Sequence, residues 1–221
     1  MLKAILFDMD GVIIDSEPLH KQAYQKMFAD YQITVSESLY ESFTGQATLP
    51  ICEHLCEYFS LSVPPEELVA AKRNYFKALF ESDNDLALIK GVLDRIQEYH
   101  QKGIILILAS SASMPTINRI FKRFNLDPYF KAKLSGADLA ASKPNPEIFI
   151  KAAAASGYSK AECMVIEDST NGIKAAHSAG IFCTAFQGEN AHNQDYQLAG
   201  KVIQSFAEIS VDRLPEFFPA N

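Results

Sequence analysis

Ala4-Ile5-Leu6-Phe7-Asp8-Met9-Asp10-Gly11-Val12 decides the fold. Four consecutive apolar residues near a glycine read as a β-strand buried on both faces. Two carboxylates, Asp8 and Asp10, follow that strand on alternate residues. In an open parallel sheet ligands collect beyond the carboxyl ends of the strands, so both acids stand where chemistry is done. Gly11 supplies a backbone free to turn sharply straight afterwards. A close pair of carboxyl groups suggests a division of labour. One can attack phosphorus and form an acyl-phosphate. The other, protonated, can hand a proton to the departing oxygen and then take one from water. Both would crowd a divalent cation, which offsets their repulsion. An Asx-turn pair at a strand–loop junction looks the same in sequence, so the rest of the chain has to decide.

Outward from this strand, residues 16–84 contain no convincing strand. Ser16 is placed to cap a helix with Pro18 in its first turn, predicted over 18–30 with Leu19, Ala23, Met27 and Phe28 on one side. Further helices are predicted over 36–43, 48–59 and 65–81, broken by Gly45 and Pro64-Pro65. From residue 91 the pattern alternates. A helix runs from Val92 to Lys102, and Ile104–Ala109 is a buried strand ending in Ser110-Ser111. A helix from Pro115 to Phe124 is followed by a short strand, Lys133–Ser135, and a helix from Pro146 to Ser156. The strand Cys163–Ile166 ends in Glu167-Asp168, helix 171–179 stops at Gly180, and strands 181–186 and 201–203 complete the set. Such alternation predicts an α/β fold with a doubly wound parallel sheet. Residues 16–85 form an inserted helical cap, and 1–15 with 86–221 form the core. Gly188–Asn193 is polar and reads as a mobile loop. Phe206–Phe218 reads as a closing helix with Leu214 and Phe217 inward.

The bulk composition narrows the function classes. The chain has 221 residues, 48% hydrophobic and 21% charged, enough for one core with an insertion. Its net charge of −7 and pI near 5.2, without a long basic run, disfavour nucleic acid and anionic membranes as partners. No apolar stretch approaches the ~20 residues of a membrane span. The N-terminal apolar run is interrupted by Asp8 and Asp10, unlike a signal peptide. The protein is expected to be cytoplasmic, as a monomer or weak dimer. Cys52, Cys56, Cys163 and Cys183 are expected to be reduced, buried apolar residues. Cys52, His54 and Cys56 have poor spacing for a metal site.

The polar residues after the strands add up to a specific chemistry. Asp8, Glu167 and Asp168 are hard oxygen ligands suited to Mg²⁺, with the Asp10 main-chain carbonyl completing the set. Ser110, Ser111 and the amides of the following helix can donate to phosphoryl oxygens. Lys143, stiffened between Ser142 and Pro144-Asn145-Pro146, can neutralise Asp8 and the transferring group. Each piece alone has a plainer reading: Ser110 or Glu167-Asp168 as helix caps, Lys143 as a solvated lysine. Together, at one sheet edge, they suit phosphoryl transfer, which needs positioning and charge neutralisation.

Asp8-Met9-Asp10-Gly11-Val12, the strand ending in Ser110, Lys143-Pro144 and Glu167-Asp168 resemble the four motifs of the haloacid dehalogenase superfamily. The resemblance covers nearly the whole chain and is nearest to the phosphatase and β-phosphoglucomutase branch with a helical cap. It implies Asp8 as nucleophile, Asp10 as general acid/base, Mg²⁺ as cofactor and a small phosphorylated metabolite as substrate. Asp10 disfavours the dehalogenase branch, which lacks a carboxylate there. The cap would close over the sheet edge, hinged near 14–17 and 83–89. His20, Gly45, Gln46, Thr48 and Lys72 are the candidate substrate-facing cap residues. A phosphatase is the preferred reading. A phosphohexomutase is the alternative, although the cap loop Thr44-Gly45-Gln46-Ala47-Thr48 lacks the arginine that grips a second phosphate, a role left to Lys72 or Arg73. A non-catalytic phosphate-binding domain is the third.

Overall fold

A computed structural model describes residues 1–188 and 193–218. The chain runs β1 (Ala4–Phe7), α1 (Glu17–Asp30), α2 (Glu37–Glu41), α3 (Thr48–Tyr58), α4 (Pro65–Ser82), α5 (Val92–Gln101) and β2 (Ile105–Ser110). It continues with α6 (Met114–Phe124), β3 (Ala132–Ser135), α7 (Glu147–Ser156), β4 (Cys163–Glu167), α8 (Thr170–Ala179), β5 (Phe182–Phe186) and β6 (Lys201–Ile203). All strand pairs are parallel, in the order β3-β2-β1-β4-β5-β6. The chain order therefore reverses between β1 and β4, which is where doubly wound sheets open a crevice for ligands. Asp8 leaves β1 and Asp168 leaves β4 at that crevice. The α/β fold and its parallel sheet are as the alternation of apolar runs predicts.

Both faces of the sheet are covered, which is why its central strands are uninterrupted apolar runs. Ile5 and Phe7 of β1 pack with Val92, Ile96, Tyr99 and Phe121 on one face. Ala4 and Leu6 pack with Phe149, Ala152, Ile173 and Ala176 on the other. A separate cluster built on Met27, Ile51, Cys52, Leu55 and Leu68 holds α1, α3 and α4 together. The four cysteines are free. Cys52 sits in this cluster, and the Cys56 thiol donates to the Val63 carbonyl at 3.7 Å. No helix among the described residues is long and apolar enough to cross a membrane.

Two chain segments join the helical insert to the sheet, and they run side by side. Ile14 and Leu88 form an antiparallel bridge, and the Ile89 amide donates to the Ile13 carbonyl at 2.9 Å. Arg123 on α6 clamps the second segment. Its guanidinium donates to the carbonyls of Phe80 at 2.9 Å and Asp83 at 2.5 Å.

Several local expectations fail for identifiable reasons. The predicted helix 36–43 shortens to Glu37–Glu41, with no buried residue to hold it. Phe206–Phe218 is not one helix but two 3₁₀ segments, 206–209 and 211–216, broken at Ser210 in an extended conformation. Pro215 cannot occupy the interior of an α-helix. Leu214 is buried as expected, but Phe218 rather than Phe217 is the more buried aromatic. The stretch read as a mobile loop falls on residues 189–192, outside the described residues.

Candidate active site

The floor of the site is an ion-pair network assembled from three loops. Lys143 is almost fully buried, and its Nζ donates to Asp8 Oδ1 at 2.5 Å, to Glu167 Oε1 at 2.8 Å and to the Ala109 carbonyl at 3.2 Å. Burial alone would lower the Lys143 pKa, but the two carboxylates outweigh it and hold the pKa above its ordinary value. Burial pushes Asp8 up to about 7, aided by the charges of Glu167 and Asp10 and opposed by Lys143. The Lys143–Pro144 peptide is cis.

Glu167 and Asp168 divide their labour by strand geometry. Successive strand side chains point to opposite faces. Glu167, the last residue of β4, is fully buried beneath α8. Its Oε2 accepts from the Asp168 and Ser169 amides at 2.8 and 2.7 Å and from the Ser169 hydroxyl at 3.0 Å. A Cβ at Gly172 would stand 1.6 Å from Glu167 Oε1, so only glycine leaves room for this carboxylate. Glu167, expected as a direct Mg²⁺ ligand, here has both oxygens in hydrogen bonds and anchors Lys143. Asp168 faces the cleft, where its carboxylate accepts no hydrogen bond among the described residues. Burial, with Glu167, Asp8 and Glu17 nearby, raises its pKa well above the carboxylate range. A Cβ on Gly11, whose φ is +79°, would meet Asp168 Oδ2 at 2.0 Å, so Gly11 is needed both for the turn and for this approach.

Asp10 is held differently. Ser16, fully buried, donates a short hydrogen bond to Asp10 Oδ1, and His20 Nε2 lies 3.2 Å from the same oxygen. The expected capping role of Ser16 is not seen; α1 has no side-chain cap, because the Ser16 hydroxyl turns to Asp10. Lys72 Nζ donates to His20 Nδ1 at 2.7 Å. Lysine has only donors, so Nδ1 must accept, which leaves the proton on Nε2 for Asp10. Burial would raise the Asp10 pKa, but His20, Ser16 and Lys72 outweigh it and the carboxyl is held below its ordinary value. Burial lowers Lys72 to about 8.

The cap loop is read by its backbone. The Ser111 hydroxyl donates to the Gly45 carbonyl at 2.7 Å, Asn171 Nδ2 to the Thr44 carbonyl at 2.7 Å, and the Ala47 amide to the Ser142 hydroxyl at 2.6 Å. Ser111 and Ser142 come from two loops at the sheet edge and Asn171 from the first turn of α8. Gly45 has φ +81°, and a Cβ there would stand 2.3 Å from Ser169 Oγ. Ser110, by contrast, is the last residue of β2 and is fully buried, with its hydroxyl accepting from the Ala112 amide at 3.1 Å. The cleft, about 70 Å³, is lined by Asp8, Asp10, Asp168 and Ser111 below and by His20, Lys72, Gly45, Gln46 and Thr48 above. That is small beside small-molecule pockets of ~300 Å³ or more, and it lies between the helical insert and the sheet edge.

The donor set was tested for a divalent cation. Among the described residues no group of three His, Cys, Asp or Glu is arranged to hold a metal ion by itself. Asp8 and Asp168 supply two clustered carboxylates, both with pKa values raised chiefly by burial and further by neighbouring carboxylates. Mg²⁺ needs little more from a protein, since it keeps several waters and takes substrate phosphate oxygens. The residues fit that ion.

A family model described as haloacid dehalogenase-like hydrolase matches residues 2–180. The chain is 30% identical over 184 residues to the phosphorylated carbohydrates phosphatase of Thermotoga maritima, covering 81% of this chain and 82% of that protein. It is 26% identical over 212 residues to hexitol phosphatase B of Escherichia coli, covering 96% of each. The crystal structure of CbbY from Rhodobacter sphaeroides in complex with phosphate is similar to this fold, with a TM-score of 0.85 and 27% identity, covering 97% of this chain and 100% of that one.

Proposed function

This chain belongs to the haloacid dehalogenase-like hydrolases, and on that premise we propose that it hydrolyses a small phosphomonoester through a phosphoryl group carried on Asp8. The observation that carries the proposal is the Lys143 bridge. It fixes Asp8 by Oδ1 at the crevice between β1 and β4. The second oxygen, Oδ2, is then the one available for in-line attack on phosphorus. Residues 16–85 act as the cap, and 1–15 with 86–221 as the core that carries the reaction.

Asp8, Asp168 and the Asp10 carbonyl would hold Mg²⁺, which supplies charge neutralisation for the phosphoryl oxygens when bound. Lys143 adds a fixed positive charge on the other side of Asp8, and Glu167 keeps that charge in place. Ser111 and Ala112, in the loop before α6, line the space where phosphoryl oxygens would lie. Asp10 gives a proton to the leaving oxygen, then takes one from the water that hydrolyses the acyl-phosphate. His20 and Ser16 hold its pKa below the ordinary value. Substrate must loosen those contacts before Asp10 carries a proton. The cap excludes bulk water, which protects the acyl-phosphate until that step.

The mutase reading asks for a distal cation to grip a second phosphate. Lys72 is committed to His20, and Arg73 does not line the cleft. Sugar-phosphate hydrolysis is therefore the favoured reading, in line with the names of the Thermotoga and Escherichia relatives. Phosphate release from an aryl phosphate and a panel of sugar and nucleotide monophosphates, with Mg²⁺ and with chelator, tests it. Mg²⁺-dependent release is expected. Release from none of the panel in Mg²⁺ would sink the proposal.

A further inference from the structure

The cleft wall contains an acid that hydrolysis at Asp8 does not use. Glu17, in the first turn of α1, lines the cleft beside His20 and Lys72. An acid at that helical position is ordinarily a solvated partner of the helix dipole. Here the carboxylate faces the substrate space, with no hydrogen bond and no ion pair among the described residues. Nearby charges act on it only at a distance: His20, Asp10, Lys72 and Asp15. Across the same space stands an apolar wall, in which Tyr24 meets Tyr40 edge-on at 5.9 Å and Tyr40 meets Phe43 edge-on at 6.2 Å.

The cation lining this cleft is occupied. Lys72 Nζ is hydrogen-bonded to His20 and lies 4.7 Å from the Tyr24 ring centroid and 5.3 Å from that of Phe76. A leaving group seated here therefore meets a hydrogen-bond-accepting carboxylate and aromatic faces. A partly buried carboxylate is stabilised by donors and opposed by another anion. Hydroxyl groups are such donors. A second phosphate or a carboxylate is such an anion.

We propose that Glu17 is the specificity-determining residue of the cleft, accepting hydrogen bonds from the hydroxyls of a polyol or sugar leaving group and excluding leaving groups with a second negative charge. This rests on the hydrolase reading above and assigns its substrate class. Glu17 takes no part in the bond changes at phosphorus, so its effect belongs in discrimination between substrates. A site built to pair with a substrate hydroxyl discriminates strongly against the analogue that lacks it.

The test compares kcat/KM of the wild type, Glu17→Gln and Glu17→Ala on four probes in Mg²⁺: an aryl phosphate, a hexitol phosphate, an alkyl phosphate of the same chain length and a hexose bisphosphate. The wild type is expected to favour the hexitol phosphate over the alkyl phosphate by roughly tenfold or more. Glu17→Ala should erase most of that ratio, chiefly through KM, whereas Glu17→Gln, which keeps an acceptor oxygen but not the charge, should erase only part of it; both should narrow the discrimination against the bisphosphate. Turnover of the aryl phosphate reports that each variant is folded and competent at Asp8. A wild type that cleaves the aryl phosphate but does not prefer the hexitol phosphate, or variants that keep the wild-type ratios, would overturn the assignment of Glu17. A wild type inactive on all four probes would instead overturn the hydrolase reading itself.

Discussion

The floor and the roof of the cleft are built on opposite plans. On the floor, Asp8, Lys143 and Glu167 are buried, and each has short, fixed partners drawn from β1, β4 and the loop between β3 and α7. On the roof, Glu17, Gln46 and Thr48 line the same space from helices and from a loop that reaches the core mainly through backbone contacts. The floor is a charge network that tolerates no loss. The roof carries no such network: its helices pack on the core through Leu19, Ala23, Phe76 and Phe80, and its loop is held by a few hydrogen bonds. On the proposed function, the difference teaches that phosphoryl chemistry and substrate choice would be carried by separate parts of the chain, joined at the paired segments around Ile14 and Leu88.

The sharpest way to break that comparison is to remove a floor residue. Asp8→Asn should lower aryl phosphate turnover by roughly 10⁴-fold or more while circular dichroism shows the fold intact, as for other nucleophile deletions. Comparable loss from a roof substitution such as Gln46→Ala would dissolve the distinction.

Lys143→Met should be the next largest effect, and it should appear in stability as well as rate. It strands the buried charges of Asp8 and Glu167, a loss of about 3–5 kcal/mol by analogy with other broken buried pairs. In a chain of this size each kcal/mol is worth about 2–4 °C in Tm. The deficit should shrink as pH falls and Asp8, whose pKa burial already raises to about 7, takes up a proton. Equal destabilisation at low and neutral pH would show that packing, not charge, is at stake.

Lys72 gives a smaller effect of opposite pH sign. Burial lowers its pKa to about 8 in the folded protein, against 10.5 for an ordinary lysine. Between those values the unfolded chain binds more protons, so stability rises with pH across that window. Chemical denaturation of wild type and Lys72→Met from pH 7.5 to 10 should show the wild type gaining about 1–3 kcal/mol relative to the variant. A flat difference would contradict the buried, His20-bonded lysine.

The smallest effect is expected where roof meets floor. Ser142→Ala and Asn171→Ala each remove a bond to the cap loop, at 2.6 and 2.7 Å. A typical hydrogen bond contributes about 0.5–1.5 kcal/mol, so KM should rise about two- to tenfold. Steady-state kinetics with a sugar phosphate checks this. A large fall in kcat on an aryl phosphate would mean that these loops serve the chemistry rather than closure.

The sequence made the floor readable because strands buried on both faces are uninterrupted apolar runs, and the polar residue after each run is conspicuous. Asp8 and Asp168 emerge that way, and Lys143 from its proline-stiffened loop. What the sequence does not show lies one residue from the strand ends. Ser110 and Glu167 belong to β2 and β4, which turns Glu167 beneath α8 and away from the cleft. Periodicity does not carry that parity, although Gly172, five residues on, marks the space for its carboxylate. The roof was far less legible. His20 and Lys72 are 52 residues apart in sequence and meet only because α1 packs on α4. Ser16 reads as a helix cap, and only the structure shows its hydroxyl turned to Asp10. Glu17 and Arg123 carry no motif at all. Their roles follow from what they face, the cleft in one case and the carbonyls of the connecting segment in the other.

The central claim is that phosphorus is transferred to Asp8. Rapid acid quench of the Mg²⁺-loaded enzyme during turnover of a sugar or aryl phosphate, followed by peptide mass spectrometry, addresses it directly. A phosphoryl adduct on the peptide Leu6–Val12, located on Asp8 and absent from Asp8→Asn, is the predicted result. An adduct on another residue such as His20, or wild-type turnover by Asp8→Asn, would contradict the account.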